Sequence, residues 1–309
     1  MARVAIAFLA GVVGISFAAI FVRLALPAPP VTTGFYRMLF ASAALLAWPG
    51  LRGRALGLEP RAALLALAAG GCFGADLALW HTSIVKTSVA MATLLVNTTP
   101  IPIGLWALVV LRQRLAPSFV VGAGLAIAGC VLLLGISRDD LERAQGALLA
   151  LGASLFYAGY LLLIKAARGR GDAGPTLLLA NLGSTAVLGL AAVAGGDALH
   201  GFPARSWAAI AGAALVSQLG GVTAIVWALG YLPATVASVA LLAQTVGTAL
   251  LGGWLLGEAL TASELAGGAL VLAGIALASR SAALQPLSPG TAAASTTGRT
   301  PGGPSRPSS

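Results

Sequence analysis

Long apolar runs separated by short polar breaks follow one another along almost the whole chain. Runs of about 20 apolar residues have the length of an α-helix that crosses a bilayer. The charge-free stretch 206–257 is too long for one span, and the Gly-Tyr-Leu-Pro sequence at 230–233 is predicted to divide it. We therefore predict ten spanning helices, at residues 4–22, 31–51, 62–83, 87–111, 115–136, 145–164, 175–194, two within 206–257, and 261–279.

One part of this pattern occurs twice, with a constant offset of 145 residues. Residues 87–129 align without a gap with residues 232–274. Each copy consists of an apolar run, a short polar turn and a second apolar run, which predicts a helical hairpin. An internal repeat of this kind in a membrane protein points first to a transporter. The repeat also pairs glycines that we expect at close helix contacts, namely Gly122, Gly129, Gly267 and Gly274.

The predicted fold is an all-α integral membrane protein with ten transmembrane helices, arranged as two inverted five-helix repeats. The first repeat covers residues 1–136, an outer loop covers 137–143, and the second repeat covers 144–279. Five is an odd number of spans, so the second repeat enters the membrane in the opposite orientation. Residues 280–309 are rich in Ser, Thr, Pro and Gly and are predicted to form a disordered cytoplasmic tail.

Composition and charge fit this fold. Hydrophobic residues make up 58% of the chain and charged residues only 9%, whereas a soluble domain has about 25% charged residues. Twelve of the 18 lysines and arginines fall in segments predicted to be inside, five fall outside, and Arg37 lies within a span. This bias places both termini in the cytoplasm of a cell-membrane protein. The net charge of +9 does not predict nucleic-acid binding, because no basic patch is interleaved with aromatic residues.

The repeat pattern resembles the EamA-type branch of the drug/metabolite transporter superfamily. The resemblance covers residues 4–279 and rests on the repeat geometry together with Arg37, Pro100, Tyr231 to Ala234, and Glu258. It implies a ten-helix transporter, and it alone implies the export direction. Two positions depart from the family pattern: Gln113 stands where the family has Glu, and Thr245 stands where it has Pro. These departures predict that the two halves are not equivalent.

Two charged residues are predicted inside the membrane, Arg37 on the second helix and Asp76 on the third. Each lies about 9–10 Å below the outer surface, counted from the nearer helix end. Intramembrane charges are rare, costly and usually paired. We predict a gate or a clamp for a substrate carboxylate, with a structural ion pair as the alternative. Glu258 is predicted to be a solvated carboxylate in a turn, and His81 and His200, at outer helix ends, receive no role.

Uncharged polar residues fall near the predicted bilayer centre. They are Asn97, Thr98 and Thr99 on the fourth helix, Gln218 on the eighth and Gln244 on the ninth. Pro100 removes a backbone hydrogen bond and exposes a carbonyl, which is tolerated only beside protein or a cavity. We predict that these groups bind a small polar substrate, and interhelical hydrogen bonding is the structural alternative.

These observations predict a secondary transporter that exports small polar metabolites, such as amino acids, by alternating access. A channel or a non-catalytic membrane scaffold is the alternative. The sequence has no Walker motif, zinc-protease motif or nucleophile elbow, so neither catalysis nor a cofactor or metal is expected. The expected partners are a small-molecule substrate and the lipid bilayer, with protons as a candidate coupling ion and no nucleic acid. Monomer and homodimer both remain open.

Overall fold

The structure, a computed structural model, describes residues 2–48, 58–110, 112, 116–134, 141–225 and 234–283. Within these ranges every regular element is helical. The helices are α1 (Ala2–Ser16), α2 (Ala18–Leu24), α3 (Pro30–Ala47), α4 (Pro60–Lys86), α5 (Val89–Val96), α6 (Pro100–Val109), α7 (Pro117–Leu134), α8 (Leu141–Arg168), α9 (Ala173–Ala194), α10 (Ala204–Gly212), the π-helical segment Ala213–Val222, α11 (Ala234–Leu256) and α12 (Ala262–Ala283).

The sequence specifies several helix starts directly. Proline occupies the first turn of α3, α4 and α6, where its missing N–H removes no helical hydrogen bond. The hydroxyl of Ser88 caps α5 by accepting from the backbone N–H of Met91 at 3.1 Å. At the start of α12, Thr261 and Glu264 bond reciprocally: each side chain accepts from the other's backbone N–H, at 3.2 and 2.7 Å. This is a capping box.

The distribution of side chains is that of a protein surrounded by lipid. Large apolar residues lie on the outside, among them Trp254, which is 80% exposed, while Arg37 and Asp76 are buried. In the described part of the chain six helices are long and apolar enough to cross a bilayer: Ile6–Leu24, Pro60–Lys86, Val89–Val109, Leu141–Arg168, Gly174–Ala194 and Ala204–Ile225. Two shorter apolar helices are Pro117–Leu132 and Ala262–Ala278. The protein is therefore a multi-pass membrane protein.

Two helices predicted to be continuous are broken in the structure. The first divides into α1 and α2 at Phe17, and the fourth divides into α5 and α6 at residues 97–99. The second break follows from Pro100, which cannot donate to the carbonyl four residues earlier and whose ring crowds it. The eighth predicted helix starts as α10 and continues as the π-helical segment.

Contacts between helices define the bundle. α4 packs against α3, α8 and α9; α1 packs against the π-helical segment and α11; and α7 packs against α12. A Cβ built on Gly122 would lie 2.6 Å from the carbonyl oxygen of Gly274, and one on Gly129 would lie 2.7 Å from that of Gly267. These distances confirm the predicted glycine contacts. Because the residue numbers run in opposite directions, α7 and α12 are antiparallel.

Ion pairs show which helix ends lie on the same side. Lys86, at the end of α4, lies 3.8 Å from Glu142 at the start of α8, and Arg170, after α8, lies 3.8 Å from Glu59, before α4. These two helices are therefore antiparallel. On the side of Lys86, further pairs join Arg23 to Glu258 and Arg143 to Glu264.

Candidate functional site

Arg37 is the centre of a buried polar cluster between α3, α4, α9 and the π-helical segment. Its side chain is 2% exposed. Its Nη2 donates to Oε1 of Gln218 at 2.9 Å, and its Nη1 lies 3.5 Å from Nε2 of His81. Nε2 of Gln218 in turn lies 3.5 Å from Oδ1 of Asn181. The structure thus brings together Arg37 and Gln218, two of the predicted site residues, and adds His81 and Asn181.

The structural ion pair between Arg37 and Asp76, which was the alternative to the predicted gate or clamp, is not formed as a direct contact. Asp76 is 4% exposed and interacts electrostatically with Arg37. Among the described residues, however, no salt bridge joins the two side chains. The guanidinium group is directed to Gln218 and His81 instead, and Oδ1 of Asp76 has no hydrogen-bond partner. Asp76 is therefore a buried carboxyl without a direct cationic partner.

His81, to which the sequence assigned no role, is fully buried beside Arg37. Its Nδ1 lies 3.1 Å from the carbonyl oxygen of Pro30. A guanidinium can only donate, so Nε2 facing Arg37 is the acceptor and Nδ1 carries the hydrogen donated to Pro30. Gly34 makes room for the imidazole, since a Cβ there would lie 3.2 Å from Nδ1. In the sequence, the one feature that could have indicated a role for His81 is its position inside an apolar run.

The π-helical segment presents Gln218 to Arg37. Interior π-helical turns are rare and often occur at functional sites. α1 holds this segment closely: the hydroxyl of Ser217 donates to the carbonyl of Gly14 at 2.9 Å, and a Cβ on Gly14 would lie 3.0 Å from the carbonyl oxygen of Val216. Gln218 is therefore positioned by a helix of the other sequence half.

The hydroxyls of Thr98 and Thr99 donate hydrogen bonds to backbone carbonyls at the end of α5, just before Pro100. Thr99 Oγ1 donates at 2.6 Å to the carbonyl of Val96, to which Pro100 cannot donate, and the backbone N–H of Thr99 donates to the same carbonyl at 3.3 Å. Thr98 Oγ1 donates to the carbonyl of Leu95 at 2.7 Å. The predicted exposed carbonyl at this break is therefore wrong, because Thr99 satisfies it. In this structure the hydroxyl of each threonine is therefore bonded to a backbone carbonyl.

Asn97 links the break to the second half of the chain. Its Nδ2 donates to the carbonyl of Thr93 at 2.9 Å and to Oγ1 of Thr245 at 2.8 Å. Gln244, the neighbour of Thr245, is buried, and its backbone oxygen accepts from the hydroxyl of Ser16 at 3.3 Å. Thr245, one of the two departures from the family pattern, thus makes an interhelical hydrogen bond. The other departure, Gln113, and residues 231–233 of the resemblance lie outside the described residues.

The prediction of a solvated Glu258 is wrong. Its side chain is 16% exposed, lies 3.5 Å from Nη2 of Arg23, and accepts from the backbone N–H of Val89 at 3.0 Å. The N-terminus of α5 carries a partial positive charge that attracts a carboxylate. Nη2 of Arg23 also donates to the carbonyl of Thr87 at 2.7 Å. Glu258 therefore joins the α11–α12 turn to the end of α2 and to the start of α5.

Replacing Glu258 by alanine is expected to lower the free energy of unfolding by about 1–2 kcal/mol, because a helix N-terminus and Arg23 lose their carboxylate. Glu142→Ala is the matched control. Glu142 is 79% exposed and lies 3.8 Å from Lys86, so its removal should change stability by less than about 0.5 kcal/mol. Thermal unfolding of the purified variants in detergent measures both. Equal losses in the two variants would contradict the role of Glu258.

The chain was compared with known proteins. The profile of the EamA-like transporter family matches residues 2–135 and 144–280. The uncharacterized transporter YwfM of Bacillus subtilis (strain 168) is 32% identical over 140 residues, which are 45% of this chain and 47% of that protein. The chain thus spans about half the length of this curated relative. One solved structure, described only as a protein crystal structure, has a TM-score of 0.60 at 20% identity, covering 90% of this chain and 97% of the other. That similarity concerns the fold alone.

Proposed function

The chain belongs to the EamA-like transporter family, and from this premise we propose that it is a secondary transporter that exports small polar metabolites, such as amino acids, across the cytoplasmic membrane. The observation that carries the proposal is the cluster of Arg37, Gln218 and Asn181, buried inside an apolar bundle and built from both sequence halves. Buried charges inside a membrane are costly and usually serve a substrate or ion pathway. The proposal includes no catalytic step.

We further propose that the ten helices form two inverted repeats. Helix contacts that come in symmetric pairs support this arrangement. Under the offset of 145, the contact of Gly122 with Gly274 corresponds to a contact of Gly267 with Gly129, and both contacts are present. An interface around a two-fold axis has this reciprocity. The first and third spans of the two halves show the same pattern. The third span of the first half, α4, packs on α8, which starts the second half. The third span of the second half, which includes the π-helical segment, packs on α1, which starts the first half.

Hydrogen bonds at the break in the fourth span join corresponding pairs of helices in the two halves. Gln244 is the offset partner of Thr99. The backbone oxygen of Gln244 accepts from Ser16 on α1, the first helix of the first half. The hydroxyl of Thr99 lies 3.5 Å from the carbonyl of Ser154 on α8, the first helix of the second half. Two halves with equivalent contacts can exchange conformations at similar energy, as alternating access requires.

Arg37 supplies the anion-binding group in this proposal. A buried guanidinium donates in a fixed planar geometry that suits a carboxylate. Gln218 and His81 contact Nη2 and Nη1, while Nε is buried and has no hydrogen-bond partner among the described residues. These two contacts orient the guanidinium and use two of its five N–H donors. We propose that a substrate carboxylate accepts from the Nε donor, which agrees with amino acids as substrates.

The test is efflux from liposomes that contain the purified protein and a panel of labelled amino acids and nucleobases. Efflux of at least one compound should saturate with concentration. Asn97→Leu removes the hydrogen bond to Thr245 and should lower efflux roughly five- to tenfold, the effect of about 1 kcal/mol. Thr82→Val is the control, because the hydrogen bond of its hydroxyl, to the carbonyl of Ala78, lies within α4. Flux that never saturates would indicate a channel and would refute the proposal.

A further inference from the structure

Asp76 is a buried carboxyl whose Oδ1 has no hydrogen-bond partner among the described residues. Within the same part of the chain no salt bridge reaches it. The nearest fixed cation, Arg37, makes its contacts with Gln218 and His81. A carboxyl removed from water needs a cation or a donor to offset its desolvation. A cationic group of a bound compound could fill this role.

Aromatic residues of α4 and α8 lie near this carboxyl. Phe73, Asp76 and Trp80 follow one another at spacings of three and four residues, so they share one face of α4. On α8, Tyr160 stacks on Phe73 with ring centres 4.6 Å apart, and Tyr157 stacks on Tyr160 at 5.8 Å. Both tyrosines are close enough to Asp76 to interact with it electrostatically. The indole N–H of Trp80 is also buried without a partner.

We propose that Asp76, with Phe73, Trp80, Tyr157 and Tyr160, forms a subsite for the protonated amine of the transported compound. The inference rests on the transport function proposed above and names the cationic part of its substrate. The carboxylate supplies the opposite charge, and aromatic faces attract an ammonium group through their quadrupole.

Among the described residues, no salt bridge joins a cation to Asp76. The titratable groups that interact electrostatically with Asp76 are Arg37 from α3 and the two tyrosines from α8, and Arg168, at the end of α8, interacts with Tyr160. Arg37 interacts with Asp76 only over a distance. A compound with both an ammonium and a carboxylate group would place opposite charges on these two residues.

Equilibrium binding to the purified protein tests the proposal with three matched probes. Phenethylamine carries only the ammonium group, 3-phenylpropionate carries only the carboxylate, and phenylalanine carries both. Wild-type protein should bind phenethylamine and phenylalanine in calorimetric titrations. Asp76→Asn should weaken phenethylamine binding roughly thirtyfold or more, the effect of losing one partner of a buried charge pair. Asp197→Asn, in the loop after α9, should leave it unchanged.

Two further variants separate recognition from folding. Asp76→Glu keeps the charge and should retain measurable phenethylamine binding. Tyr160→Phe keeps the ring face and should bind like wild type, whereas Tyr160→Leu should bind several-fold more weakly. Each variant is compared with wild type by size-exclusion profile and helical circular dichroism. A folded Asp76→Asn protein that binds phenethylamine with wild-type affinity would overturn the proposal. So would the absence of any amine binding to wild-type protein.

Efflux measurements distinguish failure of this inference from failure of the transport function. Saturable efflux of uncharged or anionic metabolites that Asp76→Asn leaves unchanged would overturn the amine subsite and leave the transporter intact. Absence of saturable efflux for every compound would overturn the transport function itself. Saturable efflux of amines that Asp76→Asn abolishes would support both.

Discussion

Replacing Arg37 by methionine is expected to abolish transport and to lower the free energy of unfolding by about 3–5 kcal/mol. The change leaves Oε1 of Gln218 without its donor and removes the positive charge that interacts with buried Asp76. Methionine has a similar length, so loss of packing contributes little. Saturable efflux from liposomes and thermal unfolding in detergent measure the two effects.

Two companion variants test which contacts of Arg37 matter. Arg37→Lys keeps the charge but cannot reach Gln218 and His81 together, so it should recover little transport. In a double-mutant cycle, Arg37→Met and Gln218→Leu should be coupled by at least about 1 kcal/mol, because the side chains are in contact. Exchanging the charges of Arg37 and Asp76 should not restore transport, since the two do not form a salt bridge. Two results together would contradict the proposed cluster of Arg37, Gln218 and His81: recovery of transport by the charge exchange, and additive effects of Arg37→Met and Gln218→Leu.

Replacing Gly274 by alanine is expected to cost about 1–3 kcal/mol of stability, as overpacking does. A Cβ at this position would lie 2.5 Å from the carbonyl oxygen of Gly122 and 2.5 Å from the backbone nitrogen of Ala126. Both neighbours are backbone atoms, so α7 and α12 would have to separate. The shift of the thermal unfolding temperature in detergent measures the loss.

Gly124→Ala is the matched control on α7. No heavy atom lies within 4 Å of a Cβ built there, and alanine favours a helix more than glycine does. This variant should be as stable as wild type or slightly more stable. If Gly274→Ala unfolded at the same temperature as Gly124→Ala, the close contact between α7 and α12 would not exist in the membrane protein.

Local rules of sequence predicted much of the helical pattern. Apolar length identifies the spans, but the fourth was predicted to be continuous, although Pro100 cannot donate the hydrogen bond of a helix interior. The duplicated glycines were predicted at close helix contacts because glycine allows two helix backbones to approach closely, and the structure shows that these contacts join α7 to α12. Arg37 and Asp76 were also predicted inside the bundle, since a charge in an apolar run has to avoid lipid.

The residues that each buried charged side chain contacts could not be predicted in the same way. The sequence places Arg37 and Asp76 at one depth, but Gln218 and His81 take the guanidinium because of how α3 packs on α4 and the π-helical segment. No local signal distinguishes the π-helical turns that present Gln218. Glu258 follows an exposed glycine turn in sequence, yet the fold brings it to the N-terminus of α5.

The opposite orientation of the two halves can be tested directly, without a known substrate. Single cysteines are placed at Arg54 and His200, which occupy nearly equivalent loops of the two repeats, in a chain with Cys72 and Cys130 changed to alanine. A membrane-impermeant maleimide is then applied to intact cells. We predict that His200→Cys is labelled from outside, whereas Arg54→Cys is labelled only after the cells are permeabilised. Labelling of both positions from the same side would contradict the inverted repeat and the alternating-access function built on it.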